Sequence, residues 1–225
     1  MILFMNNLMD SDLRLPPGSE LDSKQREAIL WPDTFQQIWN LAVSYYEKAR
    51  SFDLQHVKWV ADVAKYVCEK EKLDPMILET AAVLHDIGYS GMDNGDYANP
   101  TVKIRHMQRG VRMAGEILTK VSFPRDIMLK VLYIIGEHDN WALGIDEVYQ
   151  EDHMVSVLGD LDFLYLSSPE GFEIVRKDMK KTPQEMISFL KNHDKHIKRP
   201  WATKTTRALF EQYISEREKQ FEEKL

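Results

Sequence analysis

Six side chains of kinds that bind metal ions sit at core-facing positions of otherwise apolar, helix-patterned segments: His56, His85, Asp86, His106, His138 and Asp160. Imidazole nitrogen and carboxylate oxygen without a thiolate suit iron, manganese, zinc or a related ion, and select none uniquely. Seven histidines in 225 residues is an ordinary number, so placement rather than abundance carries the argument. Nor is the His-Asp dipeptide specific, since it occurs at 85–86, 138–139 and 193–194. The last copy lies in the polar, basic stretch NHDKHIK and reads as surface. The first closes the apolar run ILETAAVLHDIG, where an ionised Asp beside Leu84 and Ile87 is costly unless a cation compensates it.

The elements that must position these groups are helices. One is expected over residues 33–50. The next, over 53–72, carries Val57, Val60, Ala61, Ala64, Val67 and Cys68 on one face, which makes Cys68 a packing residue and not a nucleophile. Asp74-Pro75 is a cap followed by a first-turn proline, opening a helix that ends near Gly88, read as a left-handed terminator. Residues 89–99 read as a loop. Asn99-Pro100 opens a helix to about 121, with Gly110 allowing close approach one turn beyond His106, and Ser122-Phe123-Pro124 opens the helix that carries His138. An apolar segment follows over 147–166. Thr182-Pro183-Gln184-Glu185 is a capping box, and a last helix covers 203–224. No segment sustains a period of two, so the fold class is all-α: a helical bundle in a single domain, 1–225, with a core at about 50–165, a helical extension over 1–49 and further helices over 166–225.

The segment MILFMNNLMD lacks a basic flank and is broken by Asn and Asp, so it reads as neither leader nor membrane span, and no membrane association is expected. A lone cysteine fits a reducing compartment, and the expected location is cytoplasmic. The net charge of −7 argues against a nucleic-acid polymer as partner. Between Arg176 and Arg207, however, ten Lys and Arg face only three acidic residues, a local excess that could attract a small anion.

Taken in order, these residues resemble the HD-domain superfamily, with its H…HD…H…H…D pattern. AAVLHDIGY is similar to that family's A-x-L-x-H-D-[IL]-[GA] segment, and RHMQRGVRMAGEIL to its H-x-x-x-G-x-x-x-A-x-x-[IL]-L helix. IIGEHD resembles the segment of the fourth His, and LGDLDFL the closing A-D-x-[LI]-D. The resemblance implies a helical, metal-dependent hydrolase core. By position it makes His56, His85, Asp86 and Asp160 the set for one metal, and His106 and His138 the extra ligands of two-metal members. Asp86 would bridge the ions and act in catalysis. Two divalent ions are implied, iron or manganese first, with zinc, magnesium, cobalt or nickel as further choices. The chain departs from the HD-GYP cyclic-dinucleotide phosphodiesterases: Tyr89 stands where those have Lys, and HDNWALG lacks their GYP signature.

The expected function is hydrolysis of a small phosphate ester, such as a nucleotide, by a metal-activated water. Arg109 is the preferred phosphate contact, with Lys103, Arg105, Lys198, Arg199 and Lys204 as further candidates. Trp141 and Trp201 are candidates for stacking on a base. A mixed-valent di-iron oxygenase of the same superfamily is the alternative enzyme, and a nucleotide-binding regulatory module without catalysis is the second alternative. Helices outside the core leave room for a homodimer.

Overall fold

The computed structural model describes residues 31–92 and 99–222. The expectations for the first thirty residues and for most of the 89–99 loop lie outside the described residues. Among the described residues there is no strand, and the fold is all-α as the periodicity predicted.

The chain runs α1 (Trp31–Tyr46), α2 (Asp53–Glu71), α3 (Pro75–Leu84), α4 (Pro100–Lys120) and α5 (Arg125–Glu137). Beyond these lie α6 (Val148–Glu151), α7 (His153–Tyr165), α8 (Gly171–Asp178), α9 (Pro183–Lys191), α10 (Lys195–Lys198) and α11 (Lys204–Glu222). Short 3-10 turns follow α3 (Ile87–Tyr89) and α5 (Asn140–Leu143). No helix among the described residues is long and apolar enough to cross a membrane.

Local chemistry sets the boundaries. The Asp74 side chain accepts from Met76 N and Pro75 fills the first turn, while Asn99 and Pro100 do the same for α4. The Thr182–Glu185 capping box forms in both directions. The apolar segment expected as one piece over 147–166 is two helices, because the Asp152 carboxylate accepts from Met154 N and Val155 N and starts α7 afresh. Helix α1 already includes Trp31 and Pro32, ahead of the start expected at residue 33.

The core is the α2–α3–α5 layer with α4 and α7 against it. Val57, Val60, Ala64 and Val67 of the α2 stripe are fully buried, as are Ala81, Ala82, Val83 and Leu84 of α3. Cys68 belongs to this core, and burial pushes its thiol up to about 12. The thiolate that attacks alkylating reagents is then scarce at neutral pH. Cys68 is expected to resist iodoacetamide at pH 8 in the folded protein and to react fully in denaturant. Rapid labelling of the native chain, read by mass, would refute this.

Gly88 does not end α3 in a left-handed turn: α3 stops at Leu84, and only Gly91 and Gly144 among the described glycines have positive φ. Its role is close approach. A Cβ there would lie 1.9 Å from the His106 carbonyl oxygen and 2.7 Å from Gly110 N. Gly110 answers from α4, where a Cβ would meet Ile135 Cγ2 at 3.2 Å. Two glycines thus let the turn after α3 touch the α4 backbone, which sets His85 and His106 in register.

Candidate metal centre

Four imidazoles converge on one carboxylate. His56 Nε2 lies 3.1 Å from His85 Nε2, and His106 Nε2 lies 3.2 Å from His138 Nε2. Asp86 divides its oxygens between the pairs. Oδ2 is 3.6 Å from both His56 and His85, and Oδ1 is 3.5 and 3.6 Å from His106 and His138. The groupings His56–His85–Asp86 and Asp86–His106–His138 are each compact enough to hold one ion, and every member is buried.

The two His-Asp pairs are built alike. His85 and His138 each follow the end of an apolar helix, and each Nδ1 meets a carbonyl three residues back, Ala82 O at 2.9 Å and Ile135 O at 2.8 Å. A carbonyl only accepts, so each Nδ1 carries a proton, and in the neutral form of either ring the Nε2 lone pair points toward the cluster. Asp86 (φ −95°, ψ 4°) and Asp139 (φ −107°, ψ 16°) then lead into the 3-10 turns. A tyrosine pins each turn: Tyr46 donates to Val83 O at 2.6 Å, and Tyr149 to His138 O at 2.6 Å. The second dipeptide therefore supplies a carboxylate as the first does. Asp139 Oδ2 lies 3.4 Å from His106 Nε2 and 3.7 Å from His138 Nε2. Sequence reasoning did not assign Asp139, although the repeated dipeptide at a second apolar helix end was a signal for it.

Asp160 is corrected by the structure. Its Oδ1 accepts from Lys195 Nζ at 2.6 Å, and its Oδ2 from Ala202 N at 2.8 Å and Thr206 Oγ1 at 2.7 Å. All of these lie in or beside the C-terminal helices, and they bind both carboxylate oxygens. The carboxylate that faces the histidines is Asp162, whose Oδ1 is 3.2 Å from His56 Nε2. Residues two apart on a helix differ by about 200°, so only one of the pair can look at the cluster. The sequence GDLDFL offered both, and choosing needed the position of Lys195, which is distant in the chain.

Charges around the cluster are tightly paired. Burial raises the Asp86 carboxyl, but His85 and Arg50 outweigh it and hold the group well below the usual carboxylate range. Arg50 reaches Asp86 Oδ2 at 2.7 Å and Asp53 Oδ1 at 2.6 Å, with its guanidinium 3.7 Å above the Tyr89 ring. Tyr89 in turn stacks on His106 at 4.1 Å. Burial lowers His85, and pulls His106 down to about 3 despite Asp139, which leaves both imidazoles in the neutral form that binds metals. Burial also pulls on His138, but Asp139 and Asp86 outweigh it and raise the group. Asp162 is opposed by burial and held low by its hydrogen bond to His56 and by that residue's charge.

This donor set fits a metal. Nδ1 of His56 and of His106 are buried with no hydrogen-bond partner among the described residues, so neither ring is oriented by a partner at that atom. Two nitrogens each about 2.1 Å from one ion and 3.1 Å apart would subtend roughly 95°, an ordinary coordination angle. Without a cation, paired lone-pair nitrogens around a carboxylate have little to attract them.

A cavity of about 330 Å³ adjoins the cluster, lined by His56, Asp86 and Asp162 and by the cations Arg50, Lys103, Lys195 and Arg199. Of the expected phosphate contacts, Lys103 and Arg199 line it. Lys103 lies 2.6 Å from Asp139, and Arg199 lies 3.3 Å from Asp146. Arg109 instead donates to Gly88 O at 3.0 Å and Ser90 O at 2.5 Å, bracing the turn after α3. Arg105 is exposed outside the lining, Lys198 pairs with Asp194 on the surface, and Lys204 borders a different depression. Trp141 lines the cavity and donates to Asp139 Oδ1 at 2.8 Å, whereas Trp201 packs on Phe210 at 4.9 Å. Arg50 and Lys195 were not anticipated, because each owes its place to a partner more than thirty residues away.

Residues 53–158 match the family described as HD domain. A Bacillus subtilis (strain 168) protein named "Uncharacterized protein YpgQ" is 49% identical over 41 residues, which is 18% of this chain and 20% of that protein. The chain thus matches only about a fifth of that relative's length. No solved structure matches the chain.

Proposed function

We propose that this chain, whose residues 53–158 match the HD domain family, is a metal-dependent phosphohydrolase acting on a small phosphate ester, of which a nucleotide is one instance. The observation that carries this reading is the division of Asp86, one oxygen toward His56 and His85 and the other toward His106 and His138, beside a cavity lined with cations. In this reading His56, His85, Asp86 and Asp162 hold one ion. Asp86, His106 and His138 hold the second, with Asp139 beside them.

Divalent ions bound there supply Lewis acidity that activates a water and neutralises phosphoryl charge. The chain's own residues do the rest. Asp86, kept ionised by His85 and Arg50, aligns the water, while Arg50, Lys103, Lys195 and Arg199, each paired with a carboxylate, offer N–H donors at the cavity wall to the oxygens of an ester. Hydrolysis forms a bond from the water oxygen to phosphorus as the ester P–O bond breaks, and the departing alkoxide takes a proton.

The test is metal content with phosphate release under anaerobic conditions, on the wild type and on a His106→Ala, His138→Ala double variant. The expected result is about two equivalents of metal, falling to one or fewer in the variant, with phosphate release lost. No metal in either protein after anaerobic loading with iron or manganese would refute the reading. A product that forms only with oxygen, with no phosphate released, would favour the di-iron oxygenase instead.

A further inference from the structure

The cavity beside the cluster is unequal in its chemistry. Arg50 and the histidines gather around Asp86 and Lys195 is taken up by Asp160 beside Phe163, yet much of the remaining wall is hydrocarbon: Phe163, Leu166, Ile174, Val175, Met179 and Phe189. All six lie beyond residue 158, outside the matched domain, and come from the end of α7 and the residue after it, from α8 and the residue after it, and from α9. His193 ties two of them together, its ring 5.0 Å from Phe163 and 5.0 Å from Phe189, and burial lowers this imidazole toward its neutral form. Asp178 also borders this stretch but is exposed.

A wall of this kind discriminates by size and apolarity. Water against it is poorly bonded and is displaced with gain by an apolar group. A nucleobase brings several donors and acceptors, which would lose water without gaining partners on Ile174, Val175, Met179 or Phe189. A bare sugar phosphate has the same defect. We propose that the C-terminal helices form a subsite for the hydrocarbon or aromatic body of the ester, so that the substrate class is a phosphate ester of an apolar alcohol or phenol. This rests on the phosphohydrolase reading only for where the phosphoryl group sits.

Phosphonates that cannot be hydrolysed separate the two ideas. Binding of methylphosphonate, (1-naphthyl)methylphosphonate and the phosphonate analogue of adenosine monophosphate is measured by calorimetry, on the full chain as purified and with manganese added. The naphthyl compound is expected to bind at least about tenfold tighter than either of the others, a difference that a modest apolar burial supplies. Val175→Asn, and separately Met179→Gln, which are polar but uncharged, are expected to erase that advantage, read as the ratio of naphthyl to methylphosphonate affinity in each variant. Circular dichroism and the thermal midpoint check that each variant folds, and Met179, at the exposed rim, is the substitution the fold tolerates best.

Naphthyl and methyl compounds binding within threefold of each other would overturn the proposal, as would an adenosine analogue that binds tightest or a ring advantage that survives both variants. Ring-dependent binding with no hydrolysis of any ester would sink the phosphohydrolase reading and leave the subsite standing.

Discussion

Asp160→Asn is expected to destabilise the protein by about 3 kcal/mol or more, because removing one partner of a buried ion pair strands the other charge. Lys195 and Asp160 are both almost fully buried, and no other carboxylate of the described residues lies within ion-pair distance of Lys195 Nζ. Asp162→Asn should behave in the opposite way. That carboxylate is partly exposed to the cavity and touches His56, so its loss costs ion affinity and little fold stability. Urea unfolding of the metal-free proteins, with metal analysis of the loaded ones, checks the contrast. A stable Asp160→Asn protein with half the wild-type metal would restore Asp160 as a ligand and refute the assignment made from the geometry.

Gly88→Ala carries the second large effect. The added Cβ would stand 1.9 Å from a backbone carbonyl of α4, and no rotamer relieves a clash between backbone-fixed atoms. Either α4 or the turn bearing Asp86 must shift, which separates His85 from His106. A loss above about 4 kcal/mol is expected, with loss of metal binding at the same time. Gly115→Ala is the control within α4. Its Cβ would meet only Leu132 side-chain carbons at 3.7 and 4.0 Å, and removing a helix-interior glycine should stabilise by about 0.5 kcal/mol. Denaturation midpoints measure both, and a Gly88→Ala chain as stable as the wild type would show that the close approach has no energetic weight.

Much of this was legible in the chain itself. Periodicity placed the helices, and caps at Asp74, Asn99 and Thr182 placed their starts, because these signals act within a few residues. The four histidines and Asp86 were legible because each interrupts an apolar stripe at its inward phase. What stayed hidden depends on partners far along the chain. Asp160 and Asp162 occupy opposite sides of one helix, and only Lys195, Ala202 and Thr206 decide which looks inward at the cluster. Arg109 lay in the right helix beside His106, but the bend after α3 supplied carbonyls that captured it. Arg50 precedes α2 in a turn, where no periodicity exists to predict its direction. Gly88 was noticed for its flexibility, whereas its lack of a side chain is what the packing uses.

Helix α7 is a two-sided post, gripping the C-terminal helices through Asp160 and meeting the histidine cluster through Asp162. Both grips depend on the rotation of that helix about its own axis. Such an arrangement obeys thermodynamic reciprocity: whatever free energy the docked C-terminal helices lend to ion affinity, a bound ion must return to their docking. Since the same helices supply the hydrocarbon wall of the cavity, any effect that completing the wall has on filling the cluster must be returned with the same sign and size.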